Sequence, residues 1–562
     1  MGYAHVYAHE IMHRGRVPME PADFVPDWAD RPRKAKFHPD AETLPLPETP
    51  ESPEQAAGAV RGFTLPLLSG MLRDSYGLTG RRLAVQANTD LAALPHYTHA
   101  NWSRGTASGG GLYPVSVHWA AGPGGPLAPG LYHYAPHQHG LRRLLAGDVT
   151  GEVRSALGPG AGTAAAATQY LVLGVKYWQN AFKYNSFSFH AVSMDVGALV
   201  QTWRLWAAQY GLRIDPVLWF DEERLARLLG VAPEEEGIFA VVPLTWAGAS
   251  GPGGRTTPAD AAPADAAPAD AAPTAATQAD ATPTAAAPTV AAPTAATPPD
   301  AAPAARHRDV ERSRRVLVFE TLLRIHEATA GRAADRPAPG ALDAAAAFPP
   351  RGGDPLPLPA PPAPPATTGR ALRERRSSFG RFDASRPLAA GPFAAALADC
   401  AATAYGTEAE RPGGPPLTSL YAFVNHVEGI EPGAYAYDPA AHTLRLRVPG
   451  PPGPFLQRTY FLSNYNLEQA GAVIVPTVRT TAVLDAVGDR GYRLVNGTIG
   501  AVAQTFYTTA AAFGLGAGVA LGFDNISYRE ELGLTGTDEA PLLIMLLGHD
   551  RPRPADFRHE IA

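Results

Sequence analysis

One register runs through this chain twice. Pro129, Gly130, Tyr132, Tyr134, Pro136, His139, Leu141 and Arg142 recur as Pro432, Gly433, Tyr435, Tyr437, Pro439, His442, Leu444 and Arg445, each pair 303 residues apart. The same offset pairs Gly197 with Gly500, Gln201 with Gln504, Gly211-Leu212 with Gly514-Leu515, Phe220-Asp221 with Phe523-Asp524 and Leu229-Gly230 with Leu532-Gly533. Constant register over such a span implies an internal duplication with copies of domain size, not a solenoid of short repeats. With 562 residues, each copy is long enough to bury its own core.

Four segments follow. Residues 1–55 form an arm rich in Pro, His and charge, expected to be irregular; 56–250 hold the first module and 307–562 the second. Between them, 251–306 repeat Ala, Pro, Thr and Asp with almost no large apolar side chains, so this stretch reads as a semi-extended linker. A formal charge of −6 offers no electrostatic case for nucleic acid, and one cysteine, Cys400, excludes an internal disulfide. The N-terminus lacks a signal-peptide pattern, Val6 fails the myristoylation pattern, and no apolar run suits a membrane span; a soluble cytoplasmic protein is expected. His9-Glu10-Ile11-Met12-His13 formally matches H-E-x-x-H, but without a third ligand or a supporting helix it reads as a chance match in a frayed arm.

Periodicity places helices at Leu65–Tyr76, His190–Tyr210 and Leu225–Gly230, and a charged one at about Asp309–Ala330. Strands are expected at Val115–Ala120, Tyr170–Val175 and Ile238–Trp246, with Lys183-Tyr184 in a polar turn after the second. The fold class is therefore α+β: two modules, each a mixed sheet flanked by helices, paired as an intramolecular pseudo-dimer. The loop Arg104-Gly105-Thr106-Ala107-Ser108-Gly109-Gly110-Gly111 is either a flexible turn or a place where backbone approaches a planar or anionic ligand, with Ser108 as donor.

The copies differ in complementary ways. The first has the Ser-Gly-Gly loop and Lys183-Tyr184, which the second lacks. The second opens with Arg375-Arg376-Ser377 and Arg381, for which the first has no equivalent; these suit a phosphate, or equally a solvated basic helix start. It also carries Leu521-Gly522-Phe523-Asp524 where the first has Leu218-Trp219-Phe220-Asp221, putting a glycine in place of an indole. Complementary losses favour one composite site between the modules over two separate ones.

At these residues the chain resembles the nitroreductase superfamily, and most closely the SagB-type FMN-dependent azoline dehydrogenases of thiazole- and oxazole-containing peptides. The tandem-fused form resembles those of thiopeptide pathways. The resemblance implies FMN as cofactor. It gives the phosphate to Arg375, Arg376, Ser377 and Arg381, the flavin edge to Leu521 and Gly522, and further contacts to Arg104, Ser108, Gly109 and Gly110 from the other module. Phe182-Lys183-Tyr184 is similar to the family's Trp-Lys-Tyr, whose Lys and Tyr are its catalytic pair. The chain departs from the family at Phe187 and His190, where arginines are usual, and at Gly197-Ala198 in place of Gly-His.

An azoline becomes an azole by losing a proton and a hydride. The resemblance gives the proton to Lys183, with Tyr184 as donor or relay, and implies an azoline-containing precursor peptide as substrate and a cyclodehydratase of the same pathway as partner. Trp102, Tyr177 and Trp178 could line a peptide groove or pack in the core. Two other classes stay open: an FMN nitroreductase or NAD(P)H-dependent oxidoreductase of small molecules, and a non-catalytic scaffold in a peptide-modifying complex.

Overall fold

Each copy builds its own sheet in the computed structural model, which describes residues 2–48, 61–83, 101–247, 303–378, 381–551 and 558–561. The first sheet runs Glu42–Pro45, Gly140–Ala146, Gly130–Ala135, Val115–Ala121, Gln169–Lys176, Glu236–Pro243. The second runs Gly516–Ala520, Ile544–Gly548, Ala472–Arg479, Thr418–Val424, Gly433–Asp438, Thr443–Pro449, Pro355–Pro357, with Glu539–Pro541 also on Ala472–Arg479. The α+β architecture of two modules is as expected, with one correction: strands pair antiparallel throughout the described residues, not in a mixed sheet. Short hairpins such as Ala121 to Gly130 join neighbours directly, and parallel pairs would need long crossovers.

The duplicated register is a register of hydrogen bonds. Val115 pairs with Val175 as Thr418 pairs with Val478, and both copies slip by a bulge at the equivalent place, Leu131/Tyr132 and Ala434/Tyr435. The repeated residues occupy special backbone positions. Tyr134 and Tyr437 bond the rings of His139 and His442 at 3.0 and 2.8 Å, and both histidines hold positive φ. Asp221 and Asp524 cap the helices Glu222–Leu229 and Asn525–Glu531. One asymmetry matters for the site. Val519 lies in the edge strand Gly516–Ala520, whereas Pro216 stands at the equivalent place in the first copy, which makes only an isolated bridge, Val217 to Val241.

The modules are joined by their longest helices, Ser188–Ala208 and Gly491–Ala512, the first two residues off the expected His190–Tyr210 at each end. They cross at glycines: a Cβ on Gly197 would lie 2.0 Å from the Gly497 carbonyl oxygen, and one on Gly500 2.0 Å from that of Met194. The two contacts exchange equivalent positions, as an isologous interface requires. Contacts accordingly group 1–249 with 304–562 as one unit.

Terminal pieces are exchanged as well. The arm is not irregular: Tyr3–His13 is a helix with Ala4, Tyr7, Ile11 and Met12 buried, and its start bonds Asp489 of the second module. Its counterpart, Glu320–Ala330, packs on the first module, where His326 bonds Tyr177 at 2.7 Å. The expected helix at 309–330 is thus half as long; residues 309–319 are extended, and Lys176 pairs with Asp309 and Glu311. Strand Arg558–Glu560 of the second module pairs with Gly80–Arg82 of the first. The linker lies outside the described residues up to 302, and its expected end at 306 is too late, since Ala305 is already buried and bonded to Leu228. Among the described residues no helix is long and apolar enough to cross a membrane.

Candidate functional site

Lys183 and Tyr184 end a short helix, Trp178–Tyr184, and do not sit in a turn after the strand. The sequence from Trp178 to Lys183 has no Gly or Pro to stop a helix, and the reversal falls instead at Asn185, with φ 41°. The Lys183 ammonium lies 4.7 Å from the Tyr184 ring centroid and 5.9 Å from that of Trp28, an arm residue. No carboxylate among the described residues pairs with it.

The glycine loop meets this pair. Gly109–Gly111 form a single tight turn with Gly110 at φ 63°, and a Cβ on Gly110 would stand 2.6 Å from the Tyr184 hydroxyl and 3.1 Å from Lys183 Nζ. Ser108 does not offer its hydroxyl to a ligand: its one O–H goes to Asp195 at 2.6 Å, while its oxygen accepts from Tyr113 N. Gly109 N donates to the same carboxylate at 2.8 Å. Burial pushes the Asp195 carboxyl up to about 7 against these two hydrogen bonds. The second module grips the loop through Gln504, which accepts from Ala107 N and donates to the Gly105 carbonyl.

Arg375 follows the end of the helix Thr368–Glu374, so the segment is neither a helix start nor, at Arg375, solvated. Its guanidinium donates to the carbonyl of Arg104 at 2.9 Å and lies over the Tyr507 ring. Arg104 itself is buried over the rings of Tyr76 and Tyr113, where it holds Arg375 from the other module. Ser377 bonds the Tyr507 hydroxyl at 2.9 Å, and Arg82 of the first module donates to the Ser377 carbonyl. Arg376 stands 3.6 Å from Asp550, and Arg381 Nε is buried with no hydrogen-bond partner among the described residues. Five guanidinium groups, Arg82, Arg104, Arg375, Arg376 and Arg381, against the Asp550 carboxylate make a donor set that fits a phosphate.

Gly522 faces the opposite end. A Cβ there would meet only Leu462 and Tyr460, at 3.6 to 3.9 Å, and its N–H finds no acceptor among the described residues. Burial raises the phenols of Tyr460 and Tyr465, with Tyr184 a further cause for both and Tyr507 for Tyr465. The Tyr460 and Tyr465 rings stand edge to face, with centroids 5.9 Å apart. The structure brings Lys183, Tyr184 and Gly110 together, and ties Arg375 to Arg104 across the modules. These residues, with the open Gly522 amide, fit a flavin mononucleotide between an anion-binding segment and a hydrogen-bond donor.

The equivalent place in the first copy is closed. The Leu218 and Trp219 amides both donate to the Glu408 carboxylate, at 2.8 to 3.0 Å. Behind them, Glu222 takes Arg493 at 2.9 Å and Arg490 at 3.4 Å in full burial. Burial works to raise the Glu222 carboxyl, but the Arg493, His326 and Arg490 charges outweigh it and hold it below its ordinary range. Protein groups fill this second site.

Tyr177 and Trp178 bond His326 and Ser313 and line a cavity of about 180 Å³ whose walls do not include Lys183 or Tyr184, while Trp102 is half-exposed. Sequence reasoning missed Arg14, Trp28, Asp195, Tyr460, Tyr465 and Tyr507. Asp195 had a signal, as the one acid in the helix Ser188–Ala208. His9 and His13 stack on each other, and among the described residues no group of three or more metal-ligating side chains could hold an ion.

A sequence pattern described as the Nitroreductase family matches residues 412–549. A protein of Methanocaldococcus jannaschii described as a nitroreductase is 34% identical over 137 residues, 23% of this chain and 63% of that protein, so the match spans under two thirds of the relative. The crystal structure of a nitroreductase from Anabaena variabilis aligns over 98% of this chain and 100% of its own with a TM-score of 0.69, at 21% identity, a likeness of fold. Residues 412–549 therefore match the pattern of the Nitroreductase family, and the two modules together share the fold of the Anabaena variabilis protein.

Proposed function

We propose that this chain is an FMN-dependent dehydrogenase that oxidises azoline rings of a ribosomally made peptide to azoles. One observation carries the reading. Among the described residues the Gly522 N–H meets no acceptor, whereas the equivalent Trp219 amide is capped by Glu408, and the Lys183-Tyr184 pair stands together against Gly110.

When bound, the flavin accepts the hydride that leaves the ring's Cβ. Arg375, Arg376, Ser377 and Arg381 hold its phosphate, and Gly522 N–H donates to its ring edge. Lys183 takes the Cα proton, and Tyr184 donates to or relays from the ring heteroatom. Gly110, having no side chain, leaves the phenol and the ammonium side by side. The Trp28 and Tyr184 rings flank the Lys183 nitrogen, which accepts the Cα proton as the neutral amine.

The test combines flavin absorbance with the mass of a thiazoline peptide. Lys183→Ala should keep its flavin and lose azole formation by about 10²–10⁴-fold, the contribution of a general base. Tyr184→Phe should lose less. A Lys183→Ala protein that is yellow and fully active removes the lysine from the chemistry and shifts the reading to a small-molecule flavin oxidoreductase; a parent chain that takes up no FMN at saturating concentration refutes the flavin reading itself.

A further inference from the structure

Arg14 leaves the end of the arm's helix and enters the site from outside both modules. Its Nη1 donates to the Ile11 carbonyl at 2.7 Å and to Asn525 Oδ1 at 2.8 Å, its Nη2 donates to the Leu521 carbonyl, and its guanidinium lies 4.7 Å from the Phe187 ring centroid. Gly15 is packed so tightly against Phe461 that a Cβ would fall 2.4 Å from its ring, which fixes the turn that delivers Arg14. Burial brings the guanidinium down to about 10, so it stays charged at neutral pH.

The internal symmetry shows what this charge replaces. In the first copy's closed site, Arg490 and Arg493 reach Glu222, and Arg490 also donates to the Phe220 carbonyl at 3.0 Å. Their equivalents at the open site are Phe187 and His190, and Glu222 is replaced by Asn525. The open site therefore takes its guanidinium from the arm, and it meets a neutral amide where the closed site has a carboxylate. No carboxylate among the described residues forms an ion pair with Arg14.

The Leu521 carbonyl and the Gly522 N–H belong to one planar peptide and point in opposite directions. A cation bonded to the oxygen draws electron density away from the nitrogen and makes the N–H a stronger donor. We propose that Arg14 is a positioning residue that polarises the Leu521–Gly522 peptide, so that Gly522 N–H becomes a stronger donor to the acceptor atoms of the flavin ring and sets the bound flavin's midpoint potential. This rests on the flavin reading above.

The readout is the midpoint potential of the bound flavin, titrated with redox dyes at saturating FMN, for the parent chain, Arg14→Lys and Arg14→Met. Loss of the cation should change the ratio of affinities for the two redox states by tenfold or more, a shift of about 30 mV for a two-electron couple. Arg14→Lys should recover part of that shift, because it keeps the charge but not the fork. A flavin-loaded Arg14→Met protein with the parent potential overturns the proposal. If Arg14→Met takes up no flavin, Arg14→Lys and Arg14→Gln decide on the same readout; if none of the three binds FMN while the parent does, Arg14 is a structural clamp and polarisation is rejected. A parent chain without flavin refutes the earlier reading instead.

Discussion

The Tyr184 hydroxyl lies 2.6 Å from where Gly110 would carry a Cβ, so the glycine loop of the first module and its Lys-Tyr pair are in contact. Gly110 also holds φ 63°, a region that disfavours a side chain. Gly110→Ala should therefore push the phenol by about 1 Å and the ammonium by less, while leaving both in the chain. A displacement of about 1 Å at reacting groups can cost on the order of 10²-fold in rate. Turnover measured beside the thermal midpoint and flavin content separates the outcomes: an intact, flavin-loaded but slow enzyme is expected, and unchanged turnover would mean the contact has no bearing on the chemistry.

The two-module frame was legible because the duplication repeats residues whose backbone geometry leaves little choice, such as His139/His442 and the caps Asp221/Asp524. Residues of the candidate site stand out in the sequence where the copies differ, as at Gly522 and Arg375. What could not be read was long-range. Arg14 meets Leu521 across the whole chain, and no local periodicity encodes that contact. The N-terminal helix was missed because its buried residues are few and its His and Tyr content masks the pattern, while tertiary packing on the second module decides it. Ser108 was read as a ligand donor because Asp195, which takes its proton, lies far along the sequence on another helix.

At the crossing of the long helices, Gly500→Ala should be costly. Its methyl would have to share space with the Met194 carbonyl oxygen, 2.0 Å away, and backbone cannot step aside as a flexible side chain can. Overpacking typically costs about 1–3 kcal/mol, and a backbone clash lies at the upper end. The same glycine pair sets the spacing between modules, so flavin affinity should fall along with the thermal midpoint. Gly211→Ala, exposed at a helix end with open space around it, is a control for positive-φ strain alone. Equal losses in the two variants would show that close approach at Gly500 is not the constraint.

Glu222→Gln tests the closed site. It removes the one carboxylate that reaches both Arg490 and Arg493, leaving two buried guanidinium groups without a counter-charge. Breaking a buried pair in this way typically costs about 3–5 kcal/mol. Chemical denaturation should show a loss of that order with flavin stoichiometry unchanged at one per chain, since this network holds no cofactor in the reading proposed above. Two flavins per parent chain, measured by release and absorbance, would refute the composite site.

Asp195 predicts how stability should vary with pH. Burial raises its carboxyl to about 7 from an ordinary 3.8, despite the hydrogen bonds from Ser108 and Gly109. Between those values the folded chain holds a proton that the unfolded chain has released. By linkage, stability is then greatest below the ordinary carboxyl value and is lost as pH rises through the window, levelling off above about 7. Each unit of separation corresponds to about 1.4 kcal/mol, so even a partial shift should be measurable. The comparison is the thermal midpoint of the parent chain against Asp195→Asn from pH 5 to 8. The asparagine cannot titrate, so the parent should lose stability relative to it as pH rises, and the difference should flatten above about 7. A difference that stays flat from pH 5 to 8 instead means a carboxylate ionised throughout that range, with the Ser108 and Gly109 bonds outweighing burial. In that case the loop beside Lys183 and Tyr184 carries a permanent negative charge at its base.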